Sequence, residues 1–114
     1  MKRFEVWLAN LNPQRGSEVG KVRPVVIVQS NLLNDVGHPS TLICPITTNV
    51  QPDLKILRVS LEKGEGGLGR ASDVIVDQLR AIDNKRLIDR KGKISTASIK
   101  KLMHNINVVL DLNW

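Results

Sequence analysis

Two side chains of this sequence are of the types that grip a phosphate, and their spacing suggests that they meet: Arg23 and Thr47. A guanidinium is a planar fork of donors with a permanent charge, and it matches the oxygens of a phosphate. A threonine hydroxyl adds a neutral donor to a second oxygen. Arg23 stands before Pro24, which biases its backbone to an extended form. Pro24 opens Val25 to Val28, a run too short for a core helix and rich in β-branched residues, so it reads as a buried strand. Proline is tolerated as the first residue of such a strand. The guanidinium is thus held at the mouth of a rigid element. Just before it lies a glycine-flanked acidic loop, Gly16, Ser17, Glu18 and Gly20, flexible enough to close over a ligand.

The partner follows from a register argument. If Pro24–Gln29 and Thr41–Ile46 form a hairpin around the turn-rich stretch Asn31–Pro39, Ser30 lies roughly opposite Ser40. Arg23 then falls opposite Thr47, and directly opposed residues have Cβ atoms about 4.5–5.5 Å apart. A one-residue slip would turn one of the two to the other face. Neither is a general base, since the arginine pKa lies above about 12. Glu18 is the nearest acidic residue in sequence. With an ordinary pKa of about 4.3 it is a weak base unless a closed loop desolvates it, and otherwise it is a loop carboxylate in water.

The remaining reactive side chains offer less. Cys44 is the single cysteine and sits inside an apolar run, which reads as a buried inert thiol. His38 and His104 are the only histidines, so Cys/His metal sites are not available and no metal or other cofactor is expected. The formal net charge of +6 points to an anionic partner: nucleic acid, an acidic protein or a membrane surface. The basic segment Arg80, Lys85, Arg86, Arg90, Lys91 and Lys93 is either a solvated turn or the footprint of an RNA strand or acidic peptide. No apolar run approaches the roughly 18 residues a spanning helix needs, and Glu5 and Asn10 interrupt any signal-peptide core. The expected location is the cytoplasm.

A chain of 114 residues suffices for one domain, 1–114. Phe4–Ala9 alternates weakly and reads as a first strand, followed by a polar loop to about Lys21. Pro24–Gln29 and Thr41–Ile46 are the second and third strands. Ile56–Leu61 alternates and makes a fourth. Lys63–Gly69 holds four glycines and reads as a loop. Ala71–Val76 and Leu79–Ile82 are two more short strands, or one bent at Asp77-Gln78. The convincing helix is C-terminal, capped by Ser95 or Thr96. Ile99, Leu102, Met103, Ile106, Val109 and Leu110 form its apolar stripe, with Lys100, Lys101, Asn105 and Asn107 facing away. Short strands followed by one helix predict a small, strongly bent antiparallel sheet or partly open barrel with the helix packed on it, a β-rich α+β fold. Val108, Leu112 and Trp114 lie partly off the stripe, and a two-fold contact between copies is the commonest way to cover such residues.

In order and wording these residues resemble the MazF/PemK/Kid type of toxin endoribonuclease, the toxic half of bacterial type II toxin–antitoxin pairs. The resembling pieces are VWLANLNPQRGSEVGKVRPVVIV at Val6–Val28, LICPITTN at Leu42–Asn49, SDVIVDQLRAID at Ser72–Asp83, and the terminal helix. The resemblance implies an SH3-like barrel with a C-terminal helix, acting as a homodimer. It implies metal-independent cleavage of single-stranded RNA at short sequences, leaving a 2′,3′-cyclic phosphate and a 5′-hydroxyl. The family's catalytic arginine matches Arg23, its threonine matches Thr47, and the glutamate of its GSE loop matches Glu18. Around them, Gly16, Ser17, Lys21, Thr48, Asn49, Gln78 and Arg80 are expected to contact RNA, with loops 10–21 and 62–69 shaping the groove. The implied partner is an antitoxin whose acidic segment is disordered until it binds. Most members begin the first strand with a Gly-Asp pair, where this chain has Arg3-Phe4-Glu5. Two rival functions fit a basic barrel. A CcdB-type gyrase inhibitor would need no Arg23–Thr47 pair, and a non-enzymatic nucleic-acid-binding barrel usually displays stacking aromatics, of which this chain has no tyrosine and one phenylalanine.

Overall fold

Val25 to Val28 has no polar position because both faces of its strand are covered. The structure is a computed structural model that describes residues 1–112. Its strands are β1 (Glu5–Asn10), β2 (Val22–Ile27), β3 (Ser40–Thr47), β4 (Arg58–Leu61), β5 (Ser72–Ile75), β6 (Arg80–Asp83) and β7 (Leu87–Lys93), with helices α1 (Asn31–Asp35) and α2 (Thr96–Leu110). From β2, Val25 and Ile27 enter one cluster with Ala9, Leu11, Ile43 and Ile82. Val26, and Val28 just beyond the strand, enter another with Val6, Cys44, Ile46, Val74 and the α2 residues Leu102 and Ile106. A strand buried on both faces reads as a continuous apolar run.

The sheet is antiparallel throughout, in the order β4-β5-β3-β2-β1-β7, and β6 also pairs with β3. β3 is the hub: one edge carries β2, and the other carries β6 along Ser40–Ile43 and β5 at Ile46–Thr47. The sheet bends without closing, as expected of a partly open barrel. Leu79 was placed in a strand by sequence but ends a 3-10 turn, Val76–Gln78, which separates β5 from β6 and lets them share one edge of β3. The fourth strand is shorter than the alternation suggested, because 55–57 forms a turn and Ile56 is exposed.

Two elements were not foreseen. Asn31–Asp35 forms one helical turn, started by Ser30 accepting from the Leu32 N–H at 3.2 Å. The basic segment is largely the edge strand β7, paired with β1. Its charges are partly internal: Arg90 Nε donates to Glu5 Oε2 at 2.6 Å, and Arg86 Nη1 donates to the Asn10 and Asn12 carbonyl oxygens. The glycine loop after β4 packs on this edge, since a Cβ at Gly67, whose φ is +75°, would stand 2.1 Å from the Lys91 carbonyl oxygen.

Ser95 caps α2, accepting from the Ser98 N–H at 3.2 Å. The stripe packs on the sheet through Leu102 and Ile106, but Leu110 is exposed. Asn105 does not face away: it is buried and donates Nδ2 to the Lys55 and Arg58 carbonyl oxygens. Trp114 lies outside the described residues. Among the described residues no helix is long and apolar enough to cross a membrane.

Candidate active site

The pairing of β2 with β3 runs Val25 to Pro45, Val26 to Cys44 and Ile27 to Ile43. Extended towards the open end, that register sets Arg23 against Thr47. Both side chains line one recess of about 280 Å³ and a wider neighbouring one of about 540 Å³.

Arg23 is half-buried, and its Nε donates to the Gly20 carbonyl oxygen at 2.8 Å. Its two terminal nitrogens have no acceptor among the described residues. Gly20 must be glycine for this contact, since a Cβ there would lie 2.6 Å from the Gln14 Cβ. Desolvation by burial pulls the Arg23 pKa below its ordinary value, but from a start above about 12 the group stays charged. Thr47 closes β3, and its Oγ1 accepts from the Asn49 N–H at 3.1 Å. Among the described residues its hydroxyl donates to no acceptor. Two unpaired guanidinium nitrogens and a hydroxyl on one concavity are groups of the type that bind phosphate oxygens.

Among the described residues, Glu18 is the one carboxylate in the wall of the smaller recess. Its Oε2 lies 3.4 Å from Arg80 Nη1, with the Glu18 side chain 46% exposed. The same Arg80 nitrogen reaches the Val19 carbonyl oxygen at 3.5 Å, so β6 holds the loop from below.

The other expected contacts divide. Ser17 lines the smaller recess, Thr48 lines the wider one, and Lys21 and Asn49 line both. Gly16 lies in the exposed part of the loop with φ +56°, outside both walls. Gln78 sits in the 3-10 turn after β5 and lines neither recess, and Arg80 acts through Glu18 and Val19. The 62–69 loop is not at the recess, because it packs on the β1–β7 edge. Burial, with a contribution from the Asp77 carboxylate, pushes the Cys44 thiol up to about 12, so it is inert.

Sequence reasoning missed Arg58 and Asp73. Arg58 lines the smaller recess and pairs with Asp73 at 3.1 Å. An aspartate in the otherwise apolar SDVIV run was the available signal, since a buried charge requires a partner.

A sequence profile described as "PemK-like, MazF-like toxin of type II toxin-antitoxin system" matches residues 2–110. The chain belongs to this toxin family. It is 33% identical over 116 aligned residues to "Endoribonuclease MazF" of Staphylococcus saprophyticus, covering 99% of this chain and 93% of that protein. A MazF crystal structure from Deinococcus radiodurans superposes with a TM-score of 0.82 at 20% identity, covering 98% of this chain and 97% of that one. An endoribonuclease solved in complex with its cognate antitoxin from Mycobacterial species gives a TM-score of 0.77 at 20% identity, with 100% and 96% covered.

For a MazF-like chain, the replacement of Gly-Asp by Phe4-Glu5 has a visible structural form. Phe4 keeps a left-handed φ of 70°, the conformation glycine adopts freely. The Arg3 guanidinium stands 4.6 Å from its ring centroid, and Arg3 Nε donates to the Val28 carbonyl oxygen at 3.1 Å. Glu5 turns away to Trp7 and Arg90. This substitution lies at the far end of β1 from Ala9, the residue paired with Arg23.

Proposed function

We propose that this chain is the toxin of a type II pair and a metal-independent endoribonuclease that cuts single-stranded RNA. The observation that carries the reading is that Arg23, whose terminal nitrogens have no acceptor among the described residues, and the Thr47 side chain line one open recess beside the Glu18 carboxylate. Family membership and the endoribonuclease relatives support it.

In this reading the phosphate between two nucleotides sits on Arg23 and Thr47. The 2′-hydroxyl on its 5′ side attacks phosphorus, and Glu18 takes the hydroxyl proton. Negative charge grows on the non-bridging oxygens, where a preorganised guanidinium stabilises the transition state more than the ground state. The P–O5′ bond then breaks, leaving a 2′,3′-cyclic phosphate and, with a proton from water, a 5′-hydroxyl. Ser17, Lys21, Thr48 and Asn49 hold the flanking nucleotides.

The toxin works as a homodimer in the cytoplasm and as a single domain. Val108, Leu110 and Leu112 stand 47%, 51% and 56% exposed on and just after α2, apolar surface that a second copy would cover. An antitoxin with an acidic, initially disordered segment is the partner; related toxins have been solved with an antitoxin bound. Such a segment would neutralise the basic recess and exclude RNA.

The test is cleavage of a single-stranded RNA in excess EDTA, with the same oligonucleotide carrying a 2′-deoxy residue on the 5′ side of the cut. We expect cutting of the first and none at that position in the second. Cutting at the deoxy position would exclude the 2′-hydroxyl as nucleophile, and loss in EDTA restored by Mg²⁺ would move the reading to a metal-dependent nuclease.

A further inference from the structure

Asp73 is a carboxylate set where the sheet admits almost no water. Its side chain is 1% exposed, on β5 between Thr47 of β3 and Ser60 of β4. Its Oδ2 accepts from Arg58 Nη1 at 3.1 Å and from the Gln51 backbone N–H at 2.7 Å. The same Arg58 nitrogen donates to the Asn49 carbonyl oxygen at 3.1 Å. Two side chains therefore tie both ends of the 49–51 turn, and the Asn49 N–H in turn fixes the Thr47 hydroxyl.

Stability is a weak reason for such a pair. Taking two ions out of water is costly, and well-packed apolar residues often serve the fold as well or better. Nor is Arg58 a free phosphate cation, because Asp73 neutralises it, whereas Arg23 has no acid partner among the described residues. What the pair supplies is a fixed turn at the wall of the recess.

We infer that Arg58 and Asp73 are positioning residues of the cleavage site, clamping the 49–51 turn so that the Thr47 hydroxyl faces the phosphate held by Arg23. The inference rests on the reading of Arg23 and Thr47 given above. A misplacement of about 1 Å can cost roughly 100-fold in rate, so a loosened turn acts on kcat while the binding surface stays.

The decisive variant replaces both partners, Arg58→Met with Asp73→Val, which removes the clamp without stranding a buried charge. We expect it to melt within a few degrees of wild type, with kcat on single-stranded RNA reduced about 10- to 100-fold and KM within about threefold. A folded double variant with kcat within threefold of wild type would overturn the inference. Asp73→Asn is the second variant: it keeps an acceptor for the Gln51 N–H but releases the Arg58 charge. A kcat loss at constant KM supports positioning, whereas a lower KM with kcat kept would make Arg58 a phosphate ligand instead. Amide exchange at Asn49 and Gln51 reads the clamp without any RNA, and it should quicken at least tenfold in the double variant. Unchanged exchange would reject the clamp. A wild-type protein that cuts no RNA would instead reject the cleavage reading, leaving exchange to decide the clamp.

Discussion

Glu18 can be a general base or merely a latch for its loop, and the two roles differ in size enough to be separated. Among the described residues its one ion pair is to Arg80 at 3.4 Å, with side-chain exposures of 46% and 24%. A pair that exposed contributes at most about 1 kcal/mol, and 1 kcal/mol changes a loop equilibrium about fivefold. Loss of the latch alone therefore cannot lower kcat/KM by more than about fivefold. Loss of a general base typically costs 100- to 10,000-fold. Glu18→Gln keeps the shape and removes the base; Arg80→Ala keeps the base and removes the latch. With a fluorescent single-stranded RNA under single-turnover conditions, we expect at least a 100-fold drop for Glu18→Gln and at most fivefold for Arg80→Ala. Equal, small effects of both variants would refute Glu18 as base and leave it as a latch.

Three further outcomes follow from the fold. Asp111 ends α2 with a φ of 52° and places a negative charge at the helix C-terminus; Asp111→Gly removes both penalties, about 1 kcal/mol, and should raise Tm by about 4 °C in calorimetry. Burial pushes the Glu65 carboxyl up, but hydrogen bonds from Ser98 and Ser95 outweigh this and hold its pKa below the usual value. A depressed folded pKa gives stability above the unfolded value that is lost as pH falls through the folded one. The urea midpoint of wild type should therefore exceed that of Glu65→Gln at pH 7, the gap closing below about pH 4.3; a gap that widens on acidification would reverse the assignment. Sedimentation at micromolar concentration should give twice the 12.7 kDa chain mass, and Val108→Glu with Leu112→Glu should return it to the monomer.

The hairpin was legible because the turn residues of 31–39 separate two apolar runs, and setting Ser30 opposite Ser40 across them gives the register that the β2–β3 pairing follows. That register carried Arg23 to Thr47, so their meeting at one recess was readable from the sequence. Ser95 as a cap and Cys44 as a buried thiol were readable from local chemistry alone. β7 was not, since its Lys and Arg side chains mask the backbone pairing that places it beside β1. The 62–69 loop was misplaced because its glycines signal close approach without saying to what; the answer, the Lys91 backbone, lies on that unrecognised strand. Asn105 looked like a solvent residue by helical position, yet carbonyl groups of the 55–58 segment needed a donor. Arg58 and Asp73 are far apart in sequence, and only the β4–β5 pairing brings them together.

In the proposed reaction Arg23 stabilises charge on the scissile phosphate. Arg23→Ala leaves the apolar positions of β2 untouched, so its Tm should match wild type within a few degrees. Single-turnover cleavage of single-stranded RNA should fall about 100- to 1000-fold, the usual loss for one transition-state donor. A folded Arg23→Ala protein that cuts within a few-fold of wild type would contradict the account.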